Sequence, residues 1–134
     1  MKSRYTRQPK PPKPTDGEVA ILRVLWQRGP STVRDVWDQL SPRQEIGYTT
    51  VLKRMQIMLV KGLLACDKSV HSHVYRAARS KTQTQRQVIR HLLERVFSGS
   101  VPKLVMQALA TQRATPAELA EIRKLLDEIE RGSK

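Results

Sequence analysis

Apolar residues recur along most of this chain at three- and four-residue intervals, and each such stretch is closed by a cap or a breaker, as in short amphipathic helices. Thr15 and Glu18 have capping-box spacing, and Val19, Leu22, Val24, Leu25 and Trp26 supply one broad apolar face before Gly29-Pro30, predicting a helix over about residues 16–28. Ser31 or Thr32 can cap the next segment, where Val33, Val36, Trp37 and Leu40 fall at i, i+3, i+4 and i+7, and Ser41-Pro42 ends it. After a polar connector the pattern resumes over 48–61, with Leu52, Met55, Leu59 and Leu63 near one side and Gly62 as the terminating glycine.

The period then changes. "LLACDKSVHSHVYRAA" holds a polar segment, Lys68 to His73, between two short apolar flanks, which fits a hairpin better than a helix. It lacks Asn-Gly or Asp-Gly, so an irregular loop is the competing reading. The expected fold is mostly α with a small β-hairpin wing: three helices and a wing make a winged helix-turn-helix.

Beyond Ser80 the helical pattern returns. Val88, Ile89, Leu92, Leu93, Val96 and Phe97 line a helix closing near Ser98-Gly99, and Val101, Leu104, Val105, Ala108 and Leu109 line another. Thr115-Pro116-Ala117-Glu118 is a capping box with proline at the first helical position, followed by Leu119, Ile122, Leu126 and Ile129 up to Gly132. Three short helices hold few residues for a closed core, so pairing with a second copy is an economical way to bury their stripes. Folding back on the first domain is the alternative. The candidate dimer interface is Leu93, Val96, Phe97, Leu104, Val105, Leu109, Leu119, Ile122, Leu126 and Ile129. The expected organisation is a basic, proline-rich disordered arm over 1–14, a winged-helix domain over 15–79 and a helical dimerisation domain over 80–131.

Charge adds a partner. Lys and Arg number 25 against 12 Asp and Glu among 134 residues, a net charge of +13, which favours a polyanion, nucleic acid before an anionic membrane surface. The first 15 residues carry five basic residues and no acid. One cysteine cannot form an internal disulfide, no signal peptide opens the chain, and no run approaches the roughly 18–20 apolar residues of a membrane helix, so a cytoplasmic protein is expected.

In the 48–61 helix, Thr49, Thr50, Lys53 and Arg54 share a face that can read base edges or simply be solvated, and Tyr48 can reach sugar or phosphate. Lys68, His71, His73 and Arg76 are the candidate wing contacts. Cys66, His71 and His73 are metal-ligand types, but no second cysteine pair or acidic cluster completes a site, so no metal or cofactor is expected. Asp16 with Glu18, and Asp35 with Asp38, read as helix-start charges. No Gly-rich phosphate loop, His-Glu-x-x-His motif or nucleophile elbow appears, so the chain reads as no enzyme.

"EVAILRVLWQRGPSTVRDVWDQL", "GYTTVLKRMQIMLVKGLL" and the hairpin end "HVYRAA" resemble, in order and spacing, the BlaI/MecI/CopY family of bacterial transcriptional repressors over roughly residues 15–130. The resemblance implies a cytoplasmic homodimer that binds an inverted repeat, with Thr49, Thr50, Lys53 and Arg54 on the recognition helix. In penicillin-resistance members, a membrane metalloprotease sensor triggers cleavage at an Asn-Phe bond. Here "KLVMQALAT" puts Gln107-Ala108 at that position, in a helix expected to be buried. Copper-responsive members carry paired cysteines near the C-terminus, whereas this chain ends "EIERGSK", and its wing lacks the family's Gly-Arg tip. A winged-helix protein-interaction adaptor is the alternative function.

Overall fold

The computed structural model describes residues 11–69 and 71–132. Their elements are α1 (Asp16–Arg28), α2 (Val33–Leu40), α3 (Tyr48–Lys61), β1 (Leu64–Asp67), β2 (Val74–Ala77), α4 (Lys81–Arg95), α5 (Val101–Thr111) and α6 (Pro116–Gly132). This is a mostly helical winged-helix protein. Its contacts divide it into two compact units between Ile89 and Arg90.

Local chemistry explains the boundaries in the first unit. Thr15 Oγ1 accepts from Glu18 N at 3.2 Å while Glu18 Oε1 accepts from Thr15 N at 2.9 Å, satisfying two otherwise orphaned donors at the start of α1. Thr32 and Asp35 repeat the box at α2, both contacts at 3.1 Å. At the end of α3, Gly62 has φ +87° and lets Leu63 N donate to Met58 O at 2.9 Å, turning the chain into β1.

The core of this unit is Ile21, Leu22 and Leu25 of α1, Val33, Val36 and Leu40 of α2, Val51, Met55 and Met58 of α3, with Leu63, Leu64 and Tyr75 from the hairpin. Met55 and Met58 are sealed from solvent, and each such burial is worth about 2 kcal/mol. One expectation is corrected. The inner side of α3 is Val51, Met55 and Met58, while Leu52 and Leu59 are half-buried at its edges, because α3 is apolar over more than half its circumference and the floor it meets selects the side. Glu18 starts α1 as the sequence implies and does more: it is buried, and its Oε2 accepts from Lys61 Nζ at 2.7 Å.

The strands pair antiparallel in the register Leu64↔Ala77, Ala65↔Arg76, Cys66↔Tyr75 and Asp67↔Val74. A further rung comes from the α1–α2 connection, where Ser31 N donates to Tyr75 O at 2.9 Å and Tyr75 N to Ser31 O at 2.8 Å. The wing is thereby pinned beside the helices. Trp26 Nε1 donates to Arg79 O at 3.1 Å and Trp37 Nε1 to Ile46 O at 2.9 Å, tying down the segments after the wing and before α3.

The first ten residues of the basic arm lie outside the described residues. Of the remainder, expected to be disordered, Pro14 is buried and Pro11 O accepts from Gln87 Nε2 at 2.7 Å, so the end of the arm is held by α4.

In the second unit, Ser98 and Gly99 take positive φ between α4 and α5, and Ser100 Oγ caps α5 by accepting from Lys103 N at 3.2 Å. Thr115 and Glu118 form another capping box, at 3.1 and 2.8 Å. Neither α5 nor α6 contains a buried residue. Among the described residues of one chain, α5 is therefore exposed or half-buried throughout.

Candidate nucleic-acid interface

With Val51, Met55 and Met58 turned inward, the 100° advance per residue of an α-helix puts Thr49, Lys53, Gln56 and Val60 along the opposite crest of α3. All four are exposed, Val60 to 88%. The face expected from the sequence is therefore rotated: Thr49 and Lys53 stand on the crest, Thr50 and Arg54 lie to one side, and Tyr48 lies to the other.

On the first side, Thr50, Lys53 and Arg54 line an open groove of about 320 Å³ with Thr15, Glu18 and Lys61. The half-buried Arg54 guanidinium lies against the first turn of α1, where a Cβ on Gly17 would stand 2.8 Å from one of its terminal nitrogens. Gly17 leaves the space that Arg54 fills. The groove's single acid, Glu18, is already paired with Lys61. Burial raises the Glu18 pKa, but the hydrogen bond from Lys61, those from the Thr15 backbone and hydroxyl, and the lysine's charge together hold it below its ordinary value.

On the other side, Tyr48, His71 and His73 line a cleft of about 310 Å³ with Thr32, Arg34 and Tyr75. Tyr48 meets Trp37 edge to face, ring centroids 6.2 Å apart, and the Arg34 guanidinium lies 5.4 Å from the centre of the same indole. Burial pushes the Tyr75 phenol up, and Cys66 across the hairpin adds to it, so Tyr75 forms a neutral floor to the cleft. Lys68 and Arg76 are exposed on the wing and line neither recess. Asp67 stays ionised at the loop end of β1, its pKa lowered by hydrogen bonds from the Ser69 hydroxyl and N–H at 2.6 and 2.9 Å.

Arg34 and Gln56 were not singled out in the sequence. Arg34 stands three residues before Trp37, a spacing that stacks the two on one helix face. Gln56 becomes visible only once the inner side of α3 is known. Among the described residues no three His, Cys, Asp or Glu side chains group into a metal site. Cys66 is half-buried at the edge of the core.

A model of the penicillinase repressor family matches residues 14–128, from the end of the arm through most of α6. The chain belongs to the penicillinase repressor family. It is 29% identical over 119 residues to the transcriptional regulator BlaI of two Mycobacterium tuberculosis strains, a match covering 87% of this chain and 85% of the relative. It is 21% identical over 119 residues to a penicillinase repressor of Bacillus licheniformis, covering 89% and 93% of the two chains. Membership places the chain among repressors and not among enzymes. Among the described residues no helix is long and apolar enough to cross a membrane.

The family match runs through both units. In the second, Leu93, Phe97, Leu104, Leu119 and Ile122 are half-buried, and Val96, Val105, Leu109, Leu126 and Ile129 are exposed. Gln107 and Ala108 are exposed in mid α5, and Ala108 O accepts from Gln112 N at 3.1 Å.

Proposed function

We propose that this family member is a sequence-specific repressor that binds an inverted-repeat promoter element as a homodimer in the cytoplasm. α3 of each copy enters the major groove and the wing runs along the adjacent backbone. The observation that carries this reading is the outer side of α3: it is exposed, it bears Lys53 with Thr49 and Thr50, and the helix contains no acid. Hydroxyls and amines there face the donors and acceptors of base edges, while Tyr48, Arg34 and the wing's Lys68, His71, His73 and Arg76 suit sugar and phosphate.

The homodimer is supported by α5 and α6, whose apolar positions bury nothing fully within one chain, so that a self-complementary two-fold contact has a face to use. Half-sites one helical turn apart require recognition helices about 34 Å apart. Release by a membrane protease sensor would act at Gln107-Ala108, whose side chains are exposed within one chain, in a helix that must unwind and give up its contact with the second copy before cleavage. A fragment ending at Gln107 in induced cells supports that route, and an intact chain released from DNA refutes it.

Selection from a random-sequence duplex library tests the main reading. An enriched inverted repeat is expected; Thr50→Ala should then relax base preference, while Lys53→Ala should weaken all sequences alike. Enrichment of nothing would overturn sequence-specific binding in favour of a protein-interaction adaptor.

A further inference from the structure

The crest of α3 holds two long polar side chains, Lys53 and Gln56, and they offer different chemistry. Lys53 carries only donors. Gln56 carries a donor and an acceptor side by side, the pair that matches the N6 amine and N7 of adenine in the major groove. Arg54, the other residue in α3 able to make two parallel hydrogen bonds, is drawn aside against Gly17.

Gln56 is exposed, and its side chain makes no hydrogen bond among the described residues. It stands seven residues after Thr49, within about 20° of the same line along the helix and roughly 10 Å further on. That is about three base-pair steps of B-DNA. The neighbours of Gln56 in this direction are no competitors: Val60 and Ile57 are apolar, fit to touch a thymine methyl and unable to form hydrogen bonds.

From this placement we infer that Gln56 is a specificity-determining residue that reads one adenine in each half-site through its side-chain amide. The inference rests on the DNA-binding reading and adds to it a residue and a base. Thr49 and Lys53 engage the outer part of the half-site, and Gln56 selects an A·T pair about three steps away along the groove.

The test uses the full-length protein and duplexes enriched by the wild type, with every position of one half-site replaced in turn. Gln56→Ala should lose about tenfold discrimination at a single A·T position and keep wild-type discrimination elsewhere. Gln56→Glu, which only accepts, should move the preference at that position towards cytosine. Both side chains are exposed, so circular dichroism and Tm should match the wild type. Wild-type discrimination at every position in Gln56→Ala overturns the inference and leaves the DNA-binding reading standing. A wild type that enriches no sequence overturns both.

Discussion

Glu18 and Lys61 join the first turn of α1 to the last turn of α3 through a 2.7 Å contact, with the glutamate side chain only 4% exposed and the lysine 33%. The same carboxylate closes the α1 capping box through its other oxygen. One side chain thus starts one helix and ties it to the last turn of another. Lys61→Met removes the partner and leaves a buried carboxylate, which should cost about 2 kcal/mol in urea denaturation at neutral pH.

The pH dependence follows from the direction of the Glu18 shift. Its folded pKa lies below its ordinary value of 4.5, so its contribution to stability is present above that value and is lost as the pH falls through the lower folded one. Without Lys61, burial still raises the pKa and two opposing interactions are gone. Lys61→Met should therefore lose less stability than the wild type as the pH falls through the carboxylate range, so that the gap between them closes in acid. Parallel acid titrations followed by circular dichroism check this.

Gly62 is required by its backbone and not by space. Its φ is +87°, yet an added Cβ would meet only Pro11 Cβ, at the ordinary contact distance of 3.9 Å. Gly62→Ala should lower stability by about 1 kcal/mol, and Gly62→Asn by less, because asparagine enters the left-handed region more readily. Thermal unfolding of the two variants gives the order.

Arg34 stands over Trp37 with its Nε 3.4 Å from Asp38 Oδ1, at the mouth of the cleft between Tyr48 and the wing, where its remaining N–H groups suit a phosphate. Arg34→Met should flatten the dependence of log affinity on log salt by about one unit, and so should Lys53→Met. Arg28, which lines neither recess beside α3, provides the control: Arg28→Met should leave the slope unchanged. Fluorescence anisotropy across a salt series measures all three.

Val105 and Leu126 are exposed apolar residues of α5 and α6. If these helices form the dimer, a double change to aspartate buries two unpaired charges at the two-fold contact. Sedimentation should show the mass halved, and affinity for an inverted repeat should fall more than tenfold. A wild type that sediments as one chain refutes the dimer.

The limits of the first three helices were legible in the chain because they are set within a few residues: Thr15 with Glu18, a threonine before Val33, Gly62 after Lys61. The wing was legible from a change of period. The polar face of Thr49, Thr50, Lys53 and Arg54 was legible, but its bearing was not. Leu52, Ile57, Leu59 and Val60 widen the apolar part of α3 to more than half its circumference, so periodicity left several sides able to face inward.

Tertiary packing made the choices that local sequence left open. The floor formed by α1 and α2 took Val51, Met55 and Met58, which raised Gln56 to the crest and turned Arg54 onto Gly17. The Ser31–Tyr75 rung placed the wing, and the meeting of α1 with α3 gave Glu18 a lysine 43 residues away. Caps, breakers and charge belong to the sequence by itself, since hydrogen bonds three residues apart need no distant partner. The facing of the helices belongs to the folded chain, since it depends on which distant surfaces they meet.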